Sequence, residues 1–149
     1  MQKCYLAMGC FWKPEEKFKT QKGIIETEVG YAGGYKSKVS YEEVCQGNTG
    51  HAEIVKLSFD ENVISFEKIL DLFFKFHDPT QKDMQFPDVG TQYRSEIFYD
   101  NEQQREIAIK VKQKLNKVFN NKIETNISPL KNYCKAEEYH QKYIEKNRR

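Results

Sequence analysis

No apolar run in this chain of 149 residues approaches the ~20 that a membrane span needs. The first residues also lack the basic, apolar and small-residue regions of a secretory signal, so a cytoplasmic protein without membrane contact is expected. Charge of one sign is missing too: 24 Lys and Arg stand against 22 Asp and Glu, with both signs scattered rather than gathered into blocks. That argues against a nucleic-acid footprint. Cysteine is scarce, at positions 4, 10, 45 and 134 only, and no Cys-x-x-Cys pair occurs. A secreted disulfide framework, a thioredoxin-type dithiol and a zinc site all need more than this, which leaves free thiols in a reducing compartment. Gly30, Gly33 and Gly34 have neither the spacing nor the following long helix of a phosphate-binding loop, so they read as residues that turn the backbone. Repeats and low-complexity stretches are absent. The length fits one domain spanning residues 1–149, enough to bury about 70% of its extended surface.

What is present begins near the amino terminus. Lys3 to Met8 is an almost unbroken apolar run, read as a strand covered on both faces. Gly9-Cys10-Phe11-Trp12 follows as a turn, and Pro14 suits the first turn of a helix over 14–21, where no amide hydrogen is needed. Cys10 is thereby set at a helix amino terminus, where unpaired amides favour thiolate and lower the pKa. The local sequence supports two readings, a nucleophile facing an aromatic wall or a buried core cysteine beside two core aromatics.

Further on, residues 24–31 alternate as a half-buried strand, and residues 41–46 form one helical turn. From Ala52 to Phe59 the residues Glu53, Val55, Leu57 and Phe59 share one face, which sets a carboxylate in register with apolar neighbours. Desolvation there raises its pKa and makes it a proton donor near neutral pH, unless the strand start bends out to water. Phe66, Ile69, Leu70, Phe73 and Phe74 mark a core helix over 66–77, and residues 80–90 read as a loop leading to a strand at 94–99. Asp100 and Gln103 suggest a capping pair for the next helix, whose stripe runs Ile107, Val111, Leu115, Val118. A strand at 125–128 and a polar helix over 136–147 complete the chain. The order predicts an α+β fold: a two-layer mixed β-sheet with packed helices and a ferredoxin-like (split βαβ) core with long loops.

Four segments taken together resemble one family: Gly9-Cys10-Phe11-Trp12, Gly30-Tyr31-Ala32-Gly33-Gly34-Tyr35, Thr49-Gly50-His51-Ala52-Glu53, and Asp88-Val89-Gly90-Thr91-Gln92-Tyr93-Arg94-Ser95. His77-Asp78-Pro79 and Ala136-Glu137-Glu138-Tyr139-His140-Gln141 extend the match, in order, over nearly the whole chain. The sequence is similar to the A-class peptide methionine sulfoxide reductases, repair enzymes for one sulfoxide epimer. The resemblance implies Cys10 as nucleophile, Glu53 as the acid on the sulfoxide oxygen, Tyr41 and Tyr93 as phenols sharing that oxygen, and Asp88 as a supporting carboxylate. Phe11 and Trp12 would hold the substrate methyl group. It implies no cofactor, substrates that are oxidised proteins, peptides and free methionine sulfoxide, and a monomer recycled by thioredoxin, glutaredoxin or a small thiol. Many family members carry recycling cysteines in a tail beyond the Tyr-His-Gln segment, and none stands between His140 and Arg149. Cys134, at a position where the family usually has proline, is then the candidate resolving cysteine, with an external thiol as the alternative. Cys45 fills a family position without a recycling role, and Cys4 lies far along a strand. Met8 and Lys13 stand where small residues are common.

Two other classes compete with this reading. One is a cysteine acyl-transferase or hydrolase with His51 as base on Cys10, and the other is a module that holds methylated ligands between Phe11, Trp12, Tyr41 and Tyr93.

Overall fold

From Cys4 to Met8 every residue of the first strand, β1 (Gln2–Met8), is buried. An apolar run without alternation is what a strand at the centre of a covered sheet requires. The computed structural model describes residues 1–148. Around β1 it builds a six-stranded sheet with β2 (Ile24–Ala32), β3 (Ala52–Phe59), β6 (Ser95–Tyr99), β7 (Asn126–Pro129) and β8 (Cys134–Lys135), in the order β7-β6-β1-β3-β2-β8. Neighbours run antiparallel except β6 and β7, which are parallel. Helix α1 (Trp12–Lys19) joins β1 to β2, and α3 (Phe66–Phe76) follows β3 on the way to β6. The result is the expected α+β arrangement, a mainly antiparallel sheet with packed helices.

The two faces of the sheet have different covers. Cys4, Leu6, Met8, Val29, Tyr31, Val55, Leu57 and Phe59 point to the side of Phe18 of α1, the Ile69, Leu70 and Phe73 stripe of α3, and Ala108 and Val111 of α4 (Glu102–Asn116). Tyr5, Ala7, Ala32, Ala52, Ile54 and Phe98 form a smaller cluster on the other side, with Leu130 and Tyr133 packed against it. Glu53 shares the register row of Tyr31 on β2 and Cys134 on β8. Paired residues point to one side of a sheet, so Glu53 belongs to the face that carries α1.

Several elements depart from the sequence expectation, each for a tertiary reason. Helix α1, expected to be mostly solvated, buries Pro14, Glu15 and Phe18. Glu15 is 1% exposed and accepts bonds from the Thr27 hydroxyl (2.8 Å) and from the backbone and side-chain nitrogens of Lys142 (2.7 and 3.1 Å). The expected loop at 80–90 contains a hairpin, β4 (Met84–Gln85) against β5 (Asp88–Val89), too short to show any period. The cap of α4 falls on Asn101, which accepts from the Gln104 amide at 2.9 Å, one residue later than expected. Val118 is exposed, because the helix ends at Asn116 before the stripe can include it.

The expected helix over 136–147 is broken into a 3-10 turn, Glu138–His140, and a single turn, α5 (Tyr143–Lys146), by Lys142 at φ +54°. The Gln141 side chain bonds the amide and carbonyl of Val29, both at 2.9 Å, while Lys142 is held by Glu15. These bonds to β2 and α1 outweigh continuation of the helix. The short helix α2 (Tyr41–Cys45) opens with a capping box, Ser40 and Glu43 each bonding the other's backbone. Among the described residues, no helix is long and apolar enough to cross a membrane.

Candidate active site

The turn out of β1 depends on Gly9, whose φ of +96° strains any L residue, and whose missing Cβ would stand 2.9 Å from the Gln85 side chain. That turn delivers half-buried Cys10 to the start of α1. The amide of Phe11 is not offered to the sulfur: it donates to Glu53 Oε1 at 3.3 Å. A backbone hydrogen bond from Trp12 reaches Cys10 and draws its pKa down, but burial outweighs it, and the nearby Glu53, Asp88 and Cys45 add to the rise. The Cys10 thiol is pushed up to about 12, so the resting site holds a thiol and not the thiolate expected from its helix-start position. A single amide does not offset an apolar pocket bordered by acids.

Glu53 is 1% exposed. Burial, helped by the charge of Asp88, pushes its carboxyl up to about 8 against the pull of the Phe11 amide, and its Oε2 has no hydrogen-bond partner. A neutral acid with an unpaired oxygen is therefore buried beside the cysteine. Continuing the β1–β3 register by two residues sets Met8 opposite Glu53, which explains how residues 42 apart in sequence meet. Tyr93 comes from a 3-10 turn, Thr91–Tyr93, that follows β5. Burial, then the charges of Glu53, Cys45, Asp88 and Cys10, push its phenol up to about 12. Tyr41 opens α2, and burial and a hydrogen bond with Cys45 also raise its phenol well above the usual value. Cys10, Glu53, Tyr41, Tyr93 and Asp88 are thus gathered into one electrostatic cluster.

The aromatic side of the site is built on residues that the sequence left without a role. Trp12 stacks on Tyr143 with centroids 3.8 Å apart and planes 9° from parallel, and its Nε1 donates to His140 Nδ1 at 3.1 Å. The buried His140 ring in turn lies 4.6 Å from Tyr41 and 5.2 Å from Phe11. Glu137 accepts from the Tyr31 hydroxyl at 2.8 Å and from the Tyr41 amide at 2.9 Å. The signal available in sequence was the motif that includes Glu137, His140 and Gln141, and only the fold assigns Glu137 to Tyr41, His140 to Trp12 and Gln141 to the backbone of β2.

Two further cysteines have defined surroundings. Cys134 is three strand spacings from β1, about 14 Å across the sheet, and its sulfur is turned to the Val39 carbonyl at 3.6 Å. Cys45, one helical turn after Tyr41, lies close enough for its charge to be felt at Cys10 and Tyr93. His51 is no base for the sulfur, since its Nε2 bonds the Asn132 carbonyl at 3.2 Å and its ring packs on Gly34. Among the described residues no group of three or more His, Cys, Asp or Glu is placed to hold a metal ion.

A cysteine paired with a neutral acid and two phenols, without a histidine on the sulfur, defines a thiol-dependent oxidoreductase rather than a cysteine hydrolase. Comparison with known proteins gives the family. A family model described as Peptide methionine sulfoxide reductase matches residues 2–149, and the chain belongs to that family. It is 56% identical over 146 residues to a Pelagibacter ubique protein named Peptide methionine sulfoxide reductase MsrA, covering 98% of this chain and 99% of the relative. The reduced form of Mxr1 from Saccharomyces cerevisiae superposes with a TM-score of 0.94 at 41% identity, over 98% of this chain and 85% of that one. Mxr1 in complex with Trx2 superposes at 0.67 and 27% identity, over 95% and 84%.

Proposed function

We propose that the chain reduces the S epimer of methionine sulfoxide, free or within peptides and oxidised proteins, by attack of Cys10 on the sulfoxide sulfur. The observation that carries this reading is Glu53, neutral up to about pH 8 and with Oε2 unpaired, in the same cluster as Cys10. A sulfoxide sulfur is a weak electrophile until its oxygen is protonated or strongly hydrogen-bonded. Glu53 gives its proton to that oxygen as the bond between the two sulfurs forms, and the Cys10 thiol proton returns to Glu53. The oxygen then passes to Cys10 as the bond between the sulfurs breaks, giving methionine and a Cys10 sulfenic acid, with atoms and electrons balanced. Tyr41 and Tyr93, held as phenols by burial, donate to the oxygen in an oxyanion-hole arrangement. The charge of Asp88 favours the protonated form of Glu53.

Phe11 and Trp12 form the wall for the substrate methyl group, and the stacking of Trp12 on Tyr143 supports a fixed wall. With the methyl group seated there, exchanging oxygen and lone pair aims the oxygen away from its donors, which is the basis of epimer selection. No cofactor takes part, and an external dithiol such as thioredoxin, or glutaredoxin or a small thiol, returns the enzyme to its starting state. The complex of the relative Mxr1 with Trx2 supports this. Four free cysteines fit a cytoplasmic enzyme, acting as a single catalytic domain and as a monomer.

The test offers both epimers of a methionine sulfoxide peptide with dithiothreitol and follows methionine by chromatography. Turnover of the S epimer alone is expected, lost in Cys10→Ser. Equal turnover of the R epimer, or none of S, overturns the reading.

A further inference from the structure

The 3-10 turn that carries Tyr93 is three residues long. Its own bonds are few: the Tyr93 amide donates to the Gly90 carbonyl at 3.0 Å, and the Arg94 amide to the Thr91 carbonyl at 3.2 Å. The Arg94 side chain, 14% exposed, ties this turn to the sheet, each of its three nitrogens donating to a different piece of the molecule. Nη1 bonds the Thr91 carbonyl of the turn at 3.0 Å, Nη2 the Gly50 carbonyl just before β3 at 2.9 Å, and Nε the Glu96 carboxylate on β6 at 2.6 Å. We propose that Arg94 is a positioning residue for the reaction, setting the Tyr93 phenol relative to Glu53 so that both meet the sulfoxide oxygen. This inference rests on the reductase reading and adds the residue that brings two of its proton donors together.

Both anchors of the guanidinium belong to the sheet. Glu96 lies between Ala7 of β1 and Asn126 of β7, and its second oxygen accepts from the Ser128 hydroxyl at 2.5 Å. Gly50 leads into β3, which is paired to β1 on one side and to β2 on the other, and Glu53 follows three residues later. Gly33 leaves room for the guanidinium, since a Cβ there would stand 2.9 Å from Nη2. Neutralising Glu96 would account for the charge of Arg94 but not for its two bonds to carbonyls. Those two bonds join the segment that bears Tyr93 to the segment that leads to Glu53. A planar fork reaches all three acceptors at once, whereas a lysine ammonium is a single point charge.

The experiment is a double-mutant cycle of Arg94→Lys and Tyr93→Phe, read as S-epimer turnover with dithiothreitol, with circular dichroism to confirm folding. Arg94→Lys should lower kcat about tenfold and leave KM within about twofold, because a donor is displaced while the aromatic wall for the methyl group is untouched. Tyr93→Phe should lower kcat by about 10²-fold through loss of the donor itself. In the Tyr93→Phe background, Arg94→Lys should change kcat by less than about twofold, since no phenol is left to place. A tenfold loss in both backgrounds, a loss carried by KM alone, undiminished kcat in Arg94→Lys, or full activity in Tyr93→Phe overturns the inference. If Arg94→Lys does not fold, Arg94→Met combined with Glu96→Gln leaves no buried charge unpaired and enters the same cycle with the same expectation. Failure of that variant to fold as well makes Arg94 a purely structural residue and also overturns the inference. Absence of S-epimer turnover by the unaltered protein instead overturns the reductase reading.

Discussion

Replacing Glu53 by Gln should stabilise the fold while removing the activity, and the size of the gain should depend on pH in a fixed way. Burial raises the Glu53 carboxyl from an ordinary 4.5 to about 8. Between those values the folded chain binds a proton at this site that the unfolded chain has released, so stability of the native protein falls as pH rises. The loss accumulates at about 1.4 kcal/mol per pH unit, reaching about 3 kcal/mol at pH 7 and about 5 kcal/mol above pH 8, as an order of magnitude. Gln is nearly isosteric, keeps an acceptor for the Phe11 amide, and does not ionise. Urea denaturation of both proteins at pH 5, 6, 7 and 8 isolates the term, because every other titrating group is shared. The difference in unfolding free energy should grow in favour of Glu53→Gln across this range and level off above pH 8. Turnover by the same variant should drop by about 10²–10⁴-fold, the usual contribution of a positioned acid. A difference that stays constant from pH 5 to pH 8, or narrows as pH rises, would refute the desolvated acid and with it the proton source of the proposed reaction.

Other expectations concern how the site is held. A Cβ on Gly34 would lie 2.1 Å from both His51 Nδ1 and the Thr49 carbonyl, so Gly34→Ala should cost about 3 kcal/mol in urea denaturation. Gly47→Ala meets no atom and should cost only the left-handed strain, about 1 kcal/mol, and equal losses for the two would contradict the packing described. Glu15→Gln breaks the buried pair that pins Lys142 to α1, and a loss of about 2 kcal/mol is expected, below the range for fully buried pairs because the Lys142 side chain is 35% exposed. Thermal unfolding followed by near-ultraviolet circular dichroism should show that loss together with a weaker Trp12–Tyr143 signal. An unchanged midpoint would mean that Glu15 does not hold the carboxy-terminal segment.

Much of the molecule is determined locally. The unbroken apolar run of β1, the apolar rows of β2 and β3, and the stripe of α3 each follow from which residues must leave water, and they are readable without any partner. Glu53 could be assigned to the core face of β3 on period alone. The matched motifs, ordered along the chain, carried Cys10, Glu53, Tyr41, Tyr93 and Asp88 as a group. Other features lay beyond local pattern because they arise from residues far apart in sequence. The two-pair hairpin at 84–89 is too short to have a period, and the break at Lys142 exists because Glu15, 127 residues earlier, binds it. The helix-start position of Cys10 favours a thiolate, but counting amides omits the burial and acidic neighbours that only the folded sheet supplies, and these keep it a thiol. His140 likewise finds its place under Trp12 only through the fold. Sequence determined which residues were chemically able to act, and tertiary structure decided which of them stand together, because strand register and helix packing, not spacing along the chain, set the distances between them.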